Sequence, residues 1–343
     1  MNVPSLARSR VANHQPVIGR LRKVFVSLMF DGQQVEPVHQ VLIVNGGFQA
    51  TVTVSEATAN EELRITIENT VISYTVPAAG ATTETVANAL VAEINKYENI
   101  SKTEVFAGKV APGTGEHTFV LVSSHTFTVS EEETDLAVGA VGQVAGSSAK
   151  GATSTELFEP ITGRIEVGQH FCFADAFSEE HIAKLTATAL PGQTEIQHAP
   201  LTQAIAGGER AEFPCYVFDR TAADVARTYN GSSFQTFDTD GETDGTYTTV
   251  EKSLSIPGQF NIKNAGWLTL RYAAENKKQV YAIVVDPPAD ESGDFDEYAI
   301  IQGRAMVTSL PQPAPVADNM TADIELSFRG RATERTPFDT DLT

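Results

Sequence analysis

The sequence predicts a mainly β protein that carries one small α+β domain. Three observations lead there: apolar and polar residues alternate with period two along most of the 343 residues, a single stretch shows a clear helical period, and turns bearing glycine and proline punctuate the apolar runs. Hydrophobic residues make up 41% and charged residues 20%, which suits a chain with a buried core and argues against both disorder and membrane-spanning helices. The length suits two domains.

The chain opens on a basic head. Arg8, Arg10, Arg20, Arg22 and Lys23 all precede the first acid, Asp31. Asn13, His14, Gln15 and Pro16 break any apolar stretch behind the first bases, and the run from Val24 to Phe30 is too short for a bilayer. No export signal and no membrane contact are therefore expected, and synthesis in a cytoplasm is. Leu63-Arg-Ile-Thr-Ile67 and Val71-Ile-Ser-Tyr-Thr-Val76 read as a hairpin turning around Asn69-Thr70. Behind it, Thr82 or Thr83 can cap a helix with Glu84 in its first turn and Val86, Ala87, Leu90, Val91 and Ile94 on one face. Thr118 to Val122 and Thr126 to Val129 follow as strands, which completes a ββαββ unit from about 51 to 135.

Ala137 to Thr155, rich in Gly, Ala, Ser, Val and Gln, has the composition of a linker, and a domain boundary is expected near 150. The division is then residues 1–50, 51–150 and 151–343. Beyond it, short strands alternate with turns up to Phe218, and Thr221 to Arg227 has the makings of one or two helical turns. Ser253 to Ile256, Phe260 to Ile262, Trp267 to Tyr272, Val280 to Val285, Tyr298 to Leu310 and Ala322 to Phe328 all read as strands. In the last of these Ile324, Leu326 and Phe328 share a face opposite Asp323, Glu325 and Ser327, the mark of a sheet with one wet side.

Charge narrows the function. With 24 Lys and Arg against 44 Asp and Glu, the net charge is −20, which argues against gripping nucleic acid; beyond residue 30 the balance is 19 bases to 44 acids, or −25. Two acidic loops concentrate it, Asp238 to Asp244 and Asp286 to Glu297. The alternating Asp238, Asp240, Glu242 and Asp244 around Gly241 are what a hard cation such as calcium seeks, but the distal bidentate Glu of a helix-loop-helix site is missing, and a solvated acidic loop is the competing reading.

Catalytic patterns are absent. Gly146-Ser-Ser-Ala-Lys-Gly151 has the wrong spacing for a nucleophilic serine and fails as a phosphate loop at its charged residue. The seven histidines are scattered, and only His170 and Cys172 share a strand face, two ligands where a metal site needs more. Cys172 and Cys215 sit in apolar strands and read as buried free thiols, and Trp267 reads as core. No catalytic residue, cofactor or enzyme activity is expected, and a structural role gains weight.

Ser253 to Ile262, Ala265 to Ala273, Val280 to Val285, Ile301 to Ser309 and Ala317 to Gly330, taken in that order, resemble the tail tube (major tail) proteins of tailed bacteriophages. Gly303-Arg-Ala305 with Val307 matches that family's Gly-x-Ala strand, and Ile324 to Gly330 its final strand ending in glycine. The segment from Ile65 to Phe127 looks like the ββαββ modules appended to phage tail proteins. The resemblance implies a β-sandwich or open barrel of the tail-tube type with one flanking helix, residues 1–50 supplying an arm and the first strands, 51–150 an outward-facing addition. It implies a virion tail protein, assembled in the bacterial host cytoplasm, that forms homo-hexameric rings stacked into a conduit for DNA ejection. Its partners are then copies of itself, terminator, baseplate and tape-measure proteins, and DNA that passes without specific binding.

Acidity fits a bore that must not bind its cargo, since carboxylates repel phosphate within a Debye length of about 8 Å. Asp238, Asp240, Glu242, Asp244, Asp286, Asp290, Glu291 and Asp294 are the candidates for lumen or ring junction. Arg8, Arg10, Arg20, Arg22 and Lys23 are the candidates for ion pairs between subunits or rings, with a frayed terminus as the plainer reading. The alternatives are another virion component, such as a tail-fibre, baseplate-hub or capsid-decorating protein, or a tail-associated glycan hydrolase.

Overall fold

An alternating sequence becomes a strand only where its apolar face finds something to cover it, and two large cores do this for most of the described strands. The computed structural model describes residues 23–30, 37–111, 113, 115–132, 135–174, 180–217, 223–234, 244–258, 264–285, 299–311, 323–330 and 332–334. Strands predominate, and the described residues gather into two compact units, 37–215 in one and 23–30, 216–285 and 299–334 in the other.

In the first unit, Gly47–Val54 pairs with His117–Ser123 on one side and with Leu136–Val138 and Gly142–Val144 on the other. A second sheet runs Thr70–Thr75, Glu62–Ile67, Val129–Glu131. Helix α1, Thr83–Ile94, fills the space against both, with Val86, Ala87, Leu90 and Ile94 in one core with Val52, Leu63, Ile65, Phe119 and Leu121. Its start is where the sequence put it, because the Thr82 hydroxyl accepts the Thr85 N–H at 3.1 Å. A second helix, α2, Tyr97–Thr103, was not expected; it ends at Glu104, whose φ of 56° stops the helix.

The rest of this unit is a sheet ordered Glu180–Lys184, His170–Ala174, Arg210–Phe213, Gln40–Ile43. Its Arg210 is buried, donates to Glu104 at 2.9 Å and lies 4.6 Å over the Phe106 ring, so this sheet and the α-helical part share one interior. Residues 151–215 therefore pack with 37–150, and the contacts draw no division at 150. The linker expected from Ala137 to Thr155 is replaced by short strands, Leu136–Val138, Gly142–Val144, Ser147–Ser148 and the start of Ser154–Glu156. Small residues without periodicity hide such strands, since each is only two or three residues long and is held by its partner strand. The hairpin turn falls one residue early, at Glu68 and Asn69, with Ile67 opposite Thr70.

The second unit is one antiparallel sheet with a helix packed against it. The sheet order is Lys23–Leu28, Val280–Val285, Ala299–Ser309, Ile324–Phe328, Asp244–Ile256, Asp224–Phe234. Two expectations are overturned here. Trp267 to Tyr272 is not a strand but part of helix α3, Ala265–Glu275. Its residues fit either period, and the deciding features are Asn264, whose side chain accepts the Trp267 N–H at 2.9 Å, and burial of Trp267, Leu270 and Ala273 at three-residue spacing. The core reading of Trp267 holds, at 0% exposure. Within Thr221 to Arg227, the residues from Asp224 onward are strand, because Val225 opposite Leu254 places them in a ladder with Asp244–Ile256. Phe260 to Ile262 lie outside the described residues.

Candidate assembly surface

The surface with unmet demands in the second unit is a ribbon. Asp224–Phe234 and Asp244–Ile256 pair with each other from Asp224↔Ser255 to Phe234↔Asp244, with one register shift at Asn230 and Gly231. Of this ladder only Ser253 to Ile256 find a third strand, opposite Ser327 to Ile324. From Glu251 outward, no described residue adds a strand to either side. Val250, in that outer part, is 48% exposed. Two strands alone are marginal in water, and their outer N–H and C=O groups are a template for another chain.

At the base of the ribbon lies the glycine-alanine segment of the tail-tube resemblance. Ala305, fully buried, stands opposite Phe328, while Gln302 stands opposite Thr333. From Phe328 to Thr333 is five steps along the chain against three from Ala305 to Gln302, and Ala332 in the longer path lies over Gly303. A Cβ there would lie 3.0 Å from the Ala332 Cα, which is why the position is glycine. Gly330 takes a φ of 75°, the left-handed turn that starts the bulge. Lys252 of the ribbon donates to the Ala332 carbonyl at 3.3 Å and ties the bulge to the hairpin.

Among the residues singled out by sequence, Lys23 opens the strand Lys23–Leu28 opposite Val285 and is 2% exposed. Arg8, Arg10, Arg20 and Arg22 lie outside the described residues, as do Asp238, Asp240, Glu242, Asp286, Asp290, Glu291 and Asp294. Asp244 begins the second ribbon strand, opposite Phe234, so the first acidic loop joins the two arms of the ribbon. Among the described residues no group of three or more His, Cys, Asp or Glu is placed to hold a metal, and no helix is long and apolar enough to cross a membrane. Cys172 and Cys215 are free thiols. Cys215 donates to the His170 carbonyl at 2.9 Å, and burial pushes its thiol well above the ordinary range, so it is inert packing.

Sequence reading missed the ribbon as an element. Its strands run 11 and 13 residues, and the sequence signal at hand was the acidic segment between them.

The second unit is thus an antiparallel sheet backed by one helix, with a ribbon that outruns it. Residues 206–334 match the family described as phage tail tube protein, which takes in the whole ribbon, helix α3 and the Gly303 bulge. That stretch of the chain is similar to phage tail tube proteins. No curated protein matches it.

Proposed function

We propose that this chain is the subunit of a phage tail tube, that it closes into hexameric rings, and that the rings stack into the conduit through which DNA leaves the particle. The family match supports the class of protein, and the observation that carries the assembly is the ribbon. Backbone groups that run past the third strand meet no further strand among the described residues and can gain partners from another copy, and repeated head-to-tail use of one such edge closes a ring or extends a filament. The acidic loops from Asp238 to Asp244 and from Asp286 to Glu297 then face the bore or the ring junctions, where carboxylates keep DNA phosphates from sticking. The basic head, Arg8 to Arg22, neutralises the acidic flank of the next ring. Terminator, baseplate and tape-measure proteins are the partners at the tube ends and in its lumen.

Negative-stain electron microscopy of the purified chain tests the reading. Hexameric rings or tubes with a central channel are expected; trimers or isolated monomers at high concentration overturn it. Deleting residues 1–22 tests the arm separately, and tubes of unchanged length and salt resistance would remove its role.

A further inference from the structure

A second open edge lies in the first unit, far from the tail tube match in sequence. The strand Thr70–Thr75 is the outermost of its three-stranded sheet, and no described residue pairs with its free side. The ladder phase is set by the Val76 N–H, which donates to the Glu61 carbonyl at 2.8 Å. Thr70, Ile72 and Tyr74 therefore bond inward to Glu62–Ile67, while the N–H and C=O groups of Val71, Ser73 and Thr75 point away. Those same three residues are the exposed ones, with Val71 at 57%, and Ile72 is buried.

Proteins ordinarily guard such an edge with a lysine, a proline or a bulge. None lies within Thr70–Thr75, and from Asn69 to Thr83 the chain carries no charged residue at all, in a molecule of net charge −20. Two copies of so acidic a chain repel each other over most of their surface, and this uncharged strip is where they can meet.

We propose that Thr70–Thr75 pairs antiparallel with the same strand of a second copy, about a two-fold axis at Ser73. In that register Ser73 meets its own copy, Val71 meets Thr75 and Ile72 meets Tyr74. No like charges oppose one another, and two three-stranded sheets become one of six. A stack of rings that all point the same way contains no such two-fold axis, so the contact belongs to subunits before they enter a tube. It does not depend on the tube reading.

Cysteine crosslinking tests it, in the full chain with Cys172→Ser to remove the half-exposed thiol. Across the two-fold axis the Ser73 Cα atoms lie about 5.5 Å apart, within disulfide reach, whereas two Val71 Cα atoms lie about 14 Å apart. Ser73→Cys is expected to give a disulfide-linked dimer under mild oxidation, and Val71→Cys none. Ser73→Pro removes the outward N–H, together with a hydroxyl that meets the exposed Glu62 carboxylate, and is expected to weaken self-association of the dilute chain by about 10-fold or more with its circular dichroism unchanged. A Ser73→Cys thiol that stays unlinked, or that is closed to maleimide because some other segment covers the edge, overturns the proposal. So does equal crosslinking through Val71→Cys, which would mean a different register.

Discussion

His170 shows how a single burial becomes a property of the whole fold. Its side chain lies in the sheet beside Arg210–Phe213, and burial, with the Lys184 charge adding to it, pushes its pKa down from 6.5 to about 4. The folded chain thus keeps His170 neutral where the unfolded chain protonates it. Stability is expected to fall as the pH drops from about 6.5 towards 4, by up to about 3 kcal/mol, with no further loss from this group below that window. Urea midpoints at pH 7 and pH 4.5 measure it, and His170→Gln should flatten the difference. At Gly303 the constraint is space instead. A valine there meets Ala332 and lifts Thr333–Glu334 from Ile301 and Gln302, so Gly303→Val should cost about 1–3 kcal/mol in denaturant unfolding; an unchanged midpoint would show that the bulge yields freely. Neither effect was legible in the sequence. Histidine on a strand and glycine in a strand are both common, and what matters at each is an atom from a residue far along the chain.

Elements were legible to the extent that their period was unambiguous. Helix α1 has a hydroxyl cap and an apolar face at three- and four-residue spacing, and it stands where those signals place it. Helix α3 carries an equally real cap at Asn264, but Trp267, Leu268, Leu270 and Tyr272 satisfy period two nearly as well as 3.6, and the aromatic residues favour the strand reading. Burial of Trp267, Leu270 and Ala273 on the sheet core with Val26, Val280 and Leu326 tips the balance. Asn264→Ala, which removes the cap, should lower stability by about 1 kcal/mol. Trp267→Ala, which empties the core, should cost about 3–5 kcal/mol. Equal effects for the two would mean that the cap is as important as the core, contrary to the packing.

At the scale of the whole molecule, the ribbon runs past its third strand, and Val250 on its outer part is 48% exposed. Val250→Asp is expected to leave the unfolding midpoint within about 0.5 kcal/mol of the parent while abolishing rings and tubes in electron micrographs. Normal tubes from this variant would move the assembly contact elsewhere. Local periodicity, capping and composition, which neighbours in space do not alter, were enough for the class of fold, helix α1, the hairpin strands, the strands at 280–285 and 324–328, and the charge. The tertiary structure alone decided that 151–215 belongs with the preceding residues, that Trp267 is helical and that two strands outrun their sheet. Each of those depends on which distant residues share a core, and the physical reason is that a pattern of apolar residues states only that a face must be covered, never by what.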